Sequence, residues 1–422
     1  NGGTANDGVN TSASQTFTIT VTAVNDAPTG VGNLTLPTIL EDTASPAGAA
    51  ISALTGLAFA DVDTGDTLGG LAIVANTANA TTQGVWQYST NGSNWYAIGT
   101  VSDASSLMVS ATTQLRFVPV ADYNGTPPSL TVRAVDSSYA GSYSIAAATQ
   151  TRLTSDTSSH GGTTPISDNT NTIGITVTSV NDAPTFTKGA DLTVQEDAGA
   201  QTVSNWATNL VKGPADESSQ TLSFTVTNSN NAMFSAQPSI DASGNLTFTG
   251  AANANGTATV TVVLHDNGVT ANGGVDTSIQ TFTITITPVN DAPTGSPTVS
   301  GSNIEGQVLS ANTSGIADVD GLVGVTFNHQ WQVSADGTTG WTDVTGARAS
   351  TLTLDSAQVG KFVRDKVSFT DNGGTLETLF SAATSSSIAG VVPQVNSINR
   401  AGAAAVSGSA SSVVYNVTFN VA

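Results

Sequence analysis

The residues of this 422-residue sequence most able to do chemistry are carboxylates and their amide relatives, and they come in sets. Asn-Asp recurs at Asn25-Asp26, Asn181-Asp182 and Asn290-Asp291. Asp-x-Asp stands at Asp61 and Asp63 and again at Asp318 and Asp320, with Asp216-Glu217 in the corresponding place between them. Glu-Asp stands at Glu41-Asp42 and Glu196-Asp197, and single acids stand at Asp66, Asp122, Asp136, Asp266 and Asp371. Such oxygen-rich sets suit a hard cation. Ca²⁺ takes about 6–8 oxygens from carboxylates, carbonyls and water, whereas Mg²⁺ holds to a tighter octahedron and keeps its waters. The same residues also shape turns by bonding to nearby backbone, and that alternative stands beside the metal reading, most of all for Asp66, Asp122 and Glu217.

Strands must position these sets. Residues 17–29, 173–185 and 282–294 share one pattern, alternating apolar residues with Thr and then stopping at Asn-Asp-Ala-Pro-Thr. Alternation marks a half-buried strand, and the proline removes a ladder donor and ends it. Each is read as the last strand of a repeat, followed by a linker. The divisions expected are 1–29, the end of a preceding repeat; 30–184, a repeat with an insertion at 137–172, read as a long loop or extra hairpin; 185–293; 294–388; and 389–422, the start of another unit. Both ends are expected to cut through repeats. The orphan strands 16–24 and 413–421 are also candidates for pairing with another molecule. Within a repeat, strands recur between Gly, Asn and Asp turns, the pattern of a β-sandwich. Trp86–Trp95 and Trp331–Trp341 share a hairpin design, with Asn91-Gly92 and Asp336-Gly337 at the turn and the tryptophans expected to bracket it.

A seven-stranded sandwich sorts the acids by strand direction. Loops after the first strand and before the sixth lie at one end, with the domain's last residue. The loop after the second strand and the end of the sixth lie at the other. Asn181, Asp182, Glu41, Asp42 and Asp122 are thereby expected to meet Asp216, Glu217 and Asp266. Asn290, Asp291, Glu196 and Asp197 are expected to meet Asp318, Asp320 and Asp371. Asn25 and Asp26 are expected to meet Asp61, Asp63, Asp66 and Asp136. Carboxylates gathered this closely repel unless a cation joins them. The repeat ending at 381–390 lacks the motif, so no such site is expected after it and that joint is the flexible one.

The Val-Asn-Asp-Ala-Pro-Thr linkers, the Glu-Asp pairs and Asp-Val-Asp resemble bacterial cadherin-like tandem repeats of giant secreted adhesins and surface fibre proteins. The resemblance covers nearly the whole chain. It implies an all-β fold of tandem Ig/cadherin-like Greek-key β-sandwich domains in an extended array. It also implies Ca²⁺ at the linkers, an extracellular place on a bacterial surface or in secretion, and a role as a stalk in adhesion or biofilm formation. The partners expected are neighbouring repeats, cell-surface or matrix glycans and proteins, and further copies in fibres.

Composition narrows the rest. Ten Lys and Arg face 31 Asp and Glu, a net charge of −21, so nucleic acid and membrane insertion are not expected. With no Cys, no disulfide forms. Of the three histidines, His160, His265 and His329, His265 beside Asp266 could stand behind a metal ligand, but an ordinary strand position fits it better. No nucleophile elbow, phosphate loop or zinc helix occurs. A carboxylate pair such as Asp61 and Asp63 could be cast as a glycosidase dyad, but an active site is rarely copied at every joint, so no enzyme is expected. Trp86, Trp95, Trp331 and Trp341 could stack on sugars; core or hairpin packing is the plainer role.

Overall fold

The computed structural model describes residues 4–9, 11–401 and 414–420. The chain is all-β, and it divides into two compact units. One holds residues 1–186, 209–223 and 264–278; the other holds 187–208, 224–263 and 279–422.

In the first unit, a six-stranded sheet runs in the order Leu34–Thr35, Asn171–Gly174, Leu130–Asp136, Leu68–Ala75, Ser106–Ser110, Thr154–Ser155. A four-stranded sheet, Ala49–Ala50, Gln114–Pro119, Gly84–Ser89, Tyr96–Ala97, accompanies it. Their inward residues form one core that includes Leu71, Ile73, Trp86, Leu107, Phe117 and Val132. The segment after residue 33 pairs twice in parallel, Leu34–Thr35 with Asn171–Gly174 and Ile39–Leu40 with Val177–Thr178. This delivers Glu41 and Asp42 beside Asn181 and Asp182.

The insertion at 137–172 is more than a loop. It forms the hairpin Ile145–Ala146/Gln150–Thr151 and adds Thr154–Ser155 to the sheet edge. Tyr139, Tyr143 and Ile166 then pack on Ala72, Val74, Met108 and Val135, the outer side of the six-stranded sheet. Gly70 makes room, since a Cβ there would stand 2.5 Å from the Tyr143 ring. Arg133, buried beneath, ties the layer down through Asp103 at 2.8 Å and the Asp168 carbonyl at 2.5 Å. That guanidinium also holds the Asp103 carboxyl below the ordinary carboxylate range.

Leu192–Gln195 of the second unit runs parallel to residues 284–287 of the strand Thr277–Thr287, which neighbours Gly256–His265. Ala200–Val203, Leu246–Gly250 and Phe234–Ile240 make a further sheet. A later pair of sheets follows: Thr298–Ser300, Val308–Asn312, Thr351–Thr353, and Thr342–Asp343, Asn328–Ser334, Phe362–Thr370, Leu376–Phe380. Leu309, Trp331, Leu354, Val363 and Ile388 form their core.

Two expectations need correction. Residues 16–24 alternate as a strand should, but they join no ladder among the described residues, and Phe17, Ile19 and Val21 stand 82, 73 and 87 % exposed. Alternation specifies a face to bury; a ladder also needs a partner edge. The later candidate does pair, Tyr415–Asn420 with Gln394–Arg400; residues 1–3, 413 and 421 lie outside the described residues.

The tryptophans of each hairpin do not bracket the turn together. Trp86 and Trp331 are fully buried and donate from Nε1 to the Pro128 and Ala349 carbonyls at 3.0 and 2.9 Å. Trp95 and Trp341 lie under Arg116 and Arg364, at 4.3 and 4.2 Å from ring centre to guanidinium. Each arginine also donates to a glutamine, Gln87 or Gln332, at 2.8 Å. Gly48 further closes on Trp95, since a Cβ there would stand 2.0 Å from the ring. Stacking on sugar is thus closed to Trp86 and Trp331, and the arginines cover a face of the other two.

Candidate metal centres

Three acidic clusters form, each around one Asn-Asp pair. In the first, the Asp26 N–H donates to Asp63 Oδ2 at 2.7 Å, and the Asp63 N–H donates to Asp61 Oδ1 at 2.9 Å. Oxygens of Asp61, Asp63 and Asp66 lie within 4.8 Å of one another. Asn25 Nδ2 reaches Asp136 Oδ2 at 3.4 Å and the Thr164 carbonyl at 3.3 Å, so the insertion also holds this linker. Asp136 is fully buried, with Ser138 donating to it twice.

The third cluster repeats this wiring. The Asp291 N–H donates to Asp320 Oδ2 at 2.7 Å, and the Asp320 N–H to Asp318 Oδ1 at 2.9 Å. Two triads share Asp320: Glu196, Asp291, Asp320 and Asp318, Asp320, Asp371. Exposed Asp197 stands close enough to act on the charge of Asp291.

In the second cluster a 3₁₀ turn, Ala215–Glu217, replaces Asp-x-Asp. Buried Glu217 accepts the Asp182 N–H at 2.9 Å through Oε1. Asp42, Asp122 and Asp182 form the triad. Asp266 holds Asn181 Nδ2 at 3.2 Å. Asp216 joins through Asn124, whose Nδ2 donates to Asp216 Oδ2 at 2.8 Å and to Glu41 Oε2 at 2.9 Å.

The structure thus brings together oxygens of Asp61, Asp63 and Asp66, of Asp42, Asp122 and Asp182, of Glu196, Asp291 and Asp320, and of Asp318, Asp320 and Asp371, whereas the Asn290 side chain turns to Glu377. Others were missed. Asn124 and Asn255 donate to Glu41 and Glu196, at 2.9 and 3.2 Å. Both are the third residue of the motif Asp/Asn-x-Asn-Gly, whose first residues, Asp122 and Asn253, take left-handed φ of 59° and 56°. Gln220 donates to Asn181 Oδ1 at 2.7 Å, and Glu377 accepts from Asn290 Nδ2 at 3.2 Å. The Asn-Gly match was available in the sequence; nothing there marked Gln220 or Glu377.

The glutamate after the first strand has one constant partner. Glu41 accepts the Val180 N–H, Glu196 the Val289 N–H at 2.8 Å, and Glu305 the Val391 N–H at 3.3 Å. The last of these occurs where the Asn-Asp motif is missing.

The electrostatics point one way. Burial, and then neighbouring carboxylates, push Asp182, Glu217, Asp291 and Asp318 above the ordinary carboxylate range. Among the described residues nine buried side-chain oxygens and hydroxyls lack a hydrogen-bond partner. Six of them are carboxylate oxygens of these clusters, on Asp61, Asp182, Glu217, Asp291, Asp318 and Asp371. Buried carboxylate oxygens without N–H or O–H donors are costly, and a cation is the partner their chemistry suits. The donor sets are all oxygen, which fits a hard divalent ion.

No protein-family model matches the chain, and no curated protein does. Solved structures similar to it include mouse cadherin-23 EC22–24, at 13 % identity and TM-score 0.37, covering 85 % of this chain and 98 % of that one. Protocadherin gamma B2 extracellular cadherin domains 1–5 is similar at 15 % identity and TM-score 0.35, covering 91 % and 66 %. The titin I-band fragment I67–I69 is similar at 10 % identity and TM-score 0.27, covering 88 % and 100 %. Among the described residues no helix is long and apolar enough to cross a membrane.

Proposed function

We propose that this chain is a structural stalk or spacer of a large extracellular bacterial adhesin or surface fibre, stiffened by Ca²⁺ at its repeat linkers and without a catalytic role. One observation carries the reading: buried carboxylate oxygens that no donor satisfies, gathered around the same Asn-Asp motif three times. The residues to hold an ion are Asp61, Asp63 and Asp66; Asp42, Asp122 and Asp182 with Glu217; and Glu196, Asp291, Asp318, Asp320 and Asp371. A bound cation supplies the positive charge that lets these acids stay ionised side by side. The protein's own part is positional. Backbone N–H bonds from Asp26, Asp182 and Asp291 hold each linker against the acidic loop. Without a counter-charge, the carboxylates around that bond push it apart. Recurrence at three linkers supports a mechanical role over catalysis.

At extracellular calcium each ion would add about 1–2 kcal/mol, given Kd values of about 10⁻⁴–10⁻³ M. The test is thermal melting and solution scattering in calcium and in excess chelator. Chelation is expected to lower the melting temperature and shorten the scattering dimension. Profiles that superimpose in the two buffers would overturn the reading.

A further inference from the structure

The sheet Asn328–Ser334/Phe362–Thr370 carries a pocket of about 390 Å³ that the acidic clusters do not use. Ten Lys and Arg serve the whole chain, and two of them, Arg348 and Lys366, line this pocket. Among the described residues the ion pairs are Arg133–Asp103, His160–Asp168 and His329–Asp365, so neither lining cation is engaged in one. Nearby Arg364 differs, being bonded to Gln332 and stacked between Trp341 and Phe380. In a chain of charge −21, two unpaired cations facing one pocket call for an anion.

The rest of the lining says which kind. Asp343 accepts from Gln332 Nε2 through Oδ1, at 2.7 Å, which leaves Oδ2. Gln330 uses its Nε2 on the Trp331 and Val344 carbonyls, which leaves Oε1 as an acceptor. A cationic pocket that also holds acceptors suits a ligand with both a carboxylate and hydroxyl donors. Phe327 adds an apolar flank for ring C–H groups. Inorganic sulfate brings charge without hydroxyl donors. A carboxylate held here needs only its local partners, since the acidic body of the chain beyond a Debye length of about 8 Å is screened. The volume falls within the roughly 300–1,000 Å³ of small-molecule sites. We infer that this pocket binds a uronic-acid unit of an acidic polysaccharide, its carboxylate on Arg348 and Lys366 and its hydroxyls on Asp343 and Gln330.

The test is calorimetric titration of the full chain with digalacturonate, in calcium and again in excess chelator. The dimethyl ester of the same disaccharide and inorganic sulfate are the comparators. Saturable binding of the acid form is expected in both buffers, with none for the ester. Arg348→Ala and Lys366→Gln should each weaken it about tenfold or more, as loss of a charged hydrogen bond does. Asp343→Asn should weaken the sugar without weakening sulfate, and Lys361→Gln, outside the pocket, should change nothing. Melting curves matching the parent show that the variants are folded. The inference fails if the acid form does not saturate, if ester or sulfate binds as tightly, or if binding needs calcium and ignores Arg348→Ala. Because the chelator arm is separate, failure here leaves the calcium reading of the linkers standing, and the reverse also holds.

Discussion

The clusters around Asp182 and Asp291 share a motif and hold it differently. Asn181 is buried, at 8 % exposure. It receives Gln220, donates to Asp266, and exchanges bonds with Val275, its Nδ2 to the Val275 carbonyl at 2.6 Å and its carbonyl to the Val275 N–H at 2.8 Å. The returning loop fits closely: a Cβ on Gly268 would stand 1.4 Å from Asn181 Oδ1. Asn290 is exposed, and among the described residues its side chain bonds to Glu377 and its neighbour's carbonyl. In exchange, the third cluster has two triads where the second has one. One linker is clasped by polypeptide; the other is left to charge. Dependence on a cation should therefore rise from the second cluster to the third.

The sharpest way to break that contrast is Asp320→Asn, which removes the acid both triads share. The chelator-sensitive part of the stability should fall by about 2–4 kcal/mol, two ions at 1–2 each, read as the loss of the calcium-induced shift in melting temperature. Gly268→Ala attacks the clasp instead. It should cost about 1–3 kcal/mol by overpacking, equally with and without calcium, as measured by denaturant melts in both buffers.

The pH response separates the charge states. Asp182, Glu217, Asp291 and Asp318 have raised values in the fold, so the native state binds protons more tightly than the unfolded chain. In chelator, stability should fall as pH rises from the ordinary carboxylate value through the raised ones, because protonation there relieves repulsion. With calcium bound, the same window should show stability rising with pH, since protons then compete with the ion. Parallel melts across that window check both signs. The smallest effect belongs to Glu217→Gln. It keeps an acceptor for the Asp182 N–H and removes a buried charge, so chelated protein should gain about 0.5–1 kcal/mol while the calcium shift shrinks, again read by melting.

Much of this was legible in the sequence, for a geometric reason. Alternation fixes strand direction, direction fixes the end at which a loop emerges, and acids at loop ends fall into the same groups as in the fold. Amide partners escaped because Asn124, Asn255 and Gln220 carry no charge to draw the eye. The insertion's hairpin was among the expectations, but its packing on the outer face of the sheet was not, because its strands are only two residues long and show no period. Its signal lay elsewhere, in Leu71-Ala72-Ile73-Val74. All four are buried, so the run needed cover on both faces of its sheet. Residues 16–24 show the reverse, a clear period with no ladder among the described residues to use it.

Glu305 grips the Val391 N–H as Glu41 and Glu196 grip theirs, but among the described residues no acidic triad forms around it. Steering of the chain out of a sandwich and the gathering of carboxylates are thus separable traits. A lineage of such repeats can keep the exit fixed while gaining or losing a handful of aspartates, and so grade its hinges one by one without redrawing the fold.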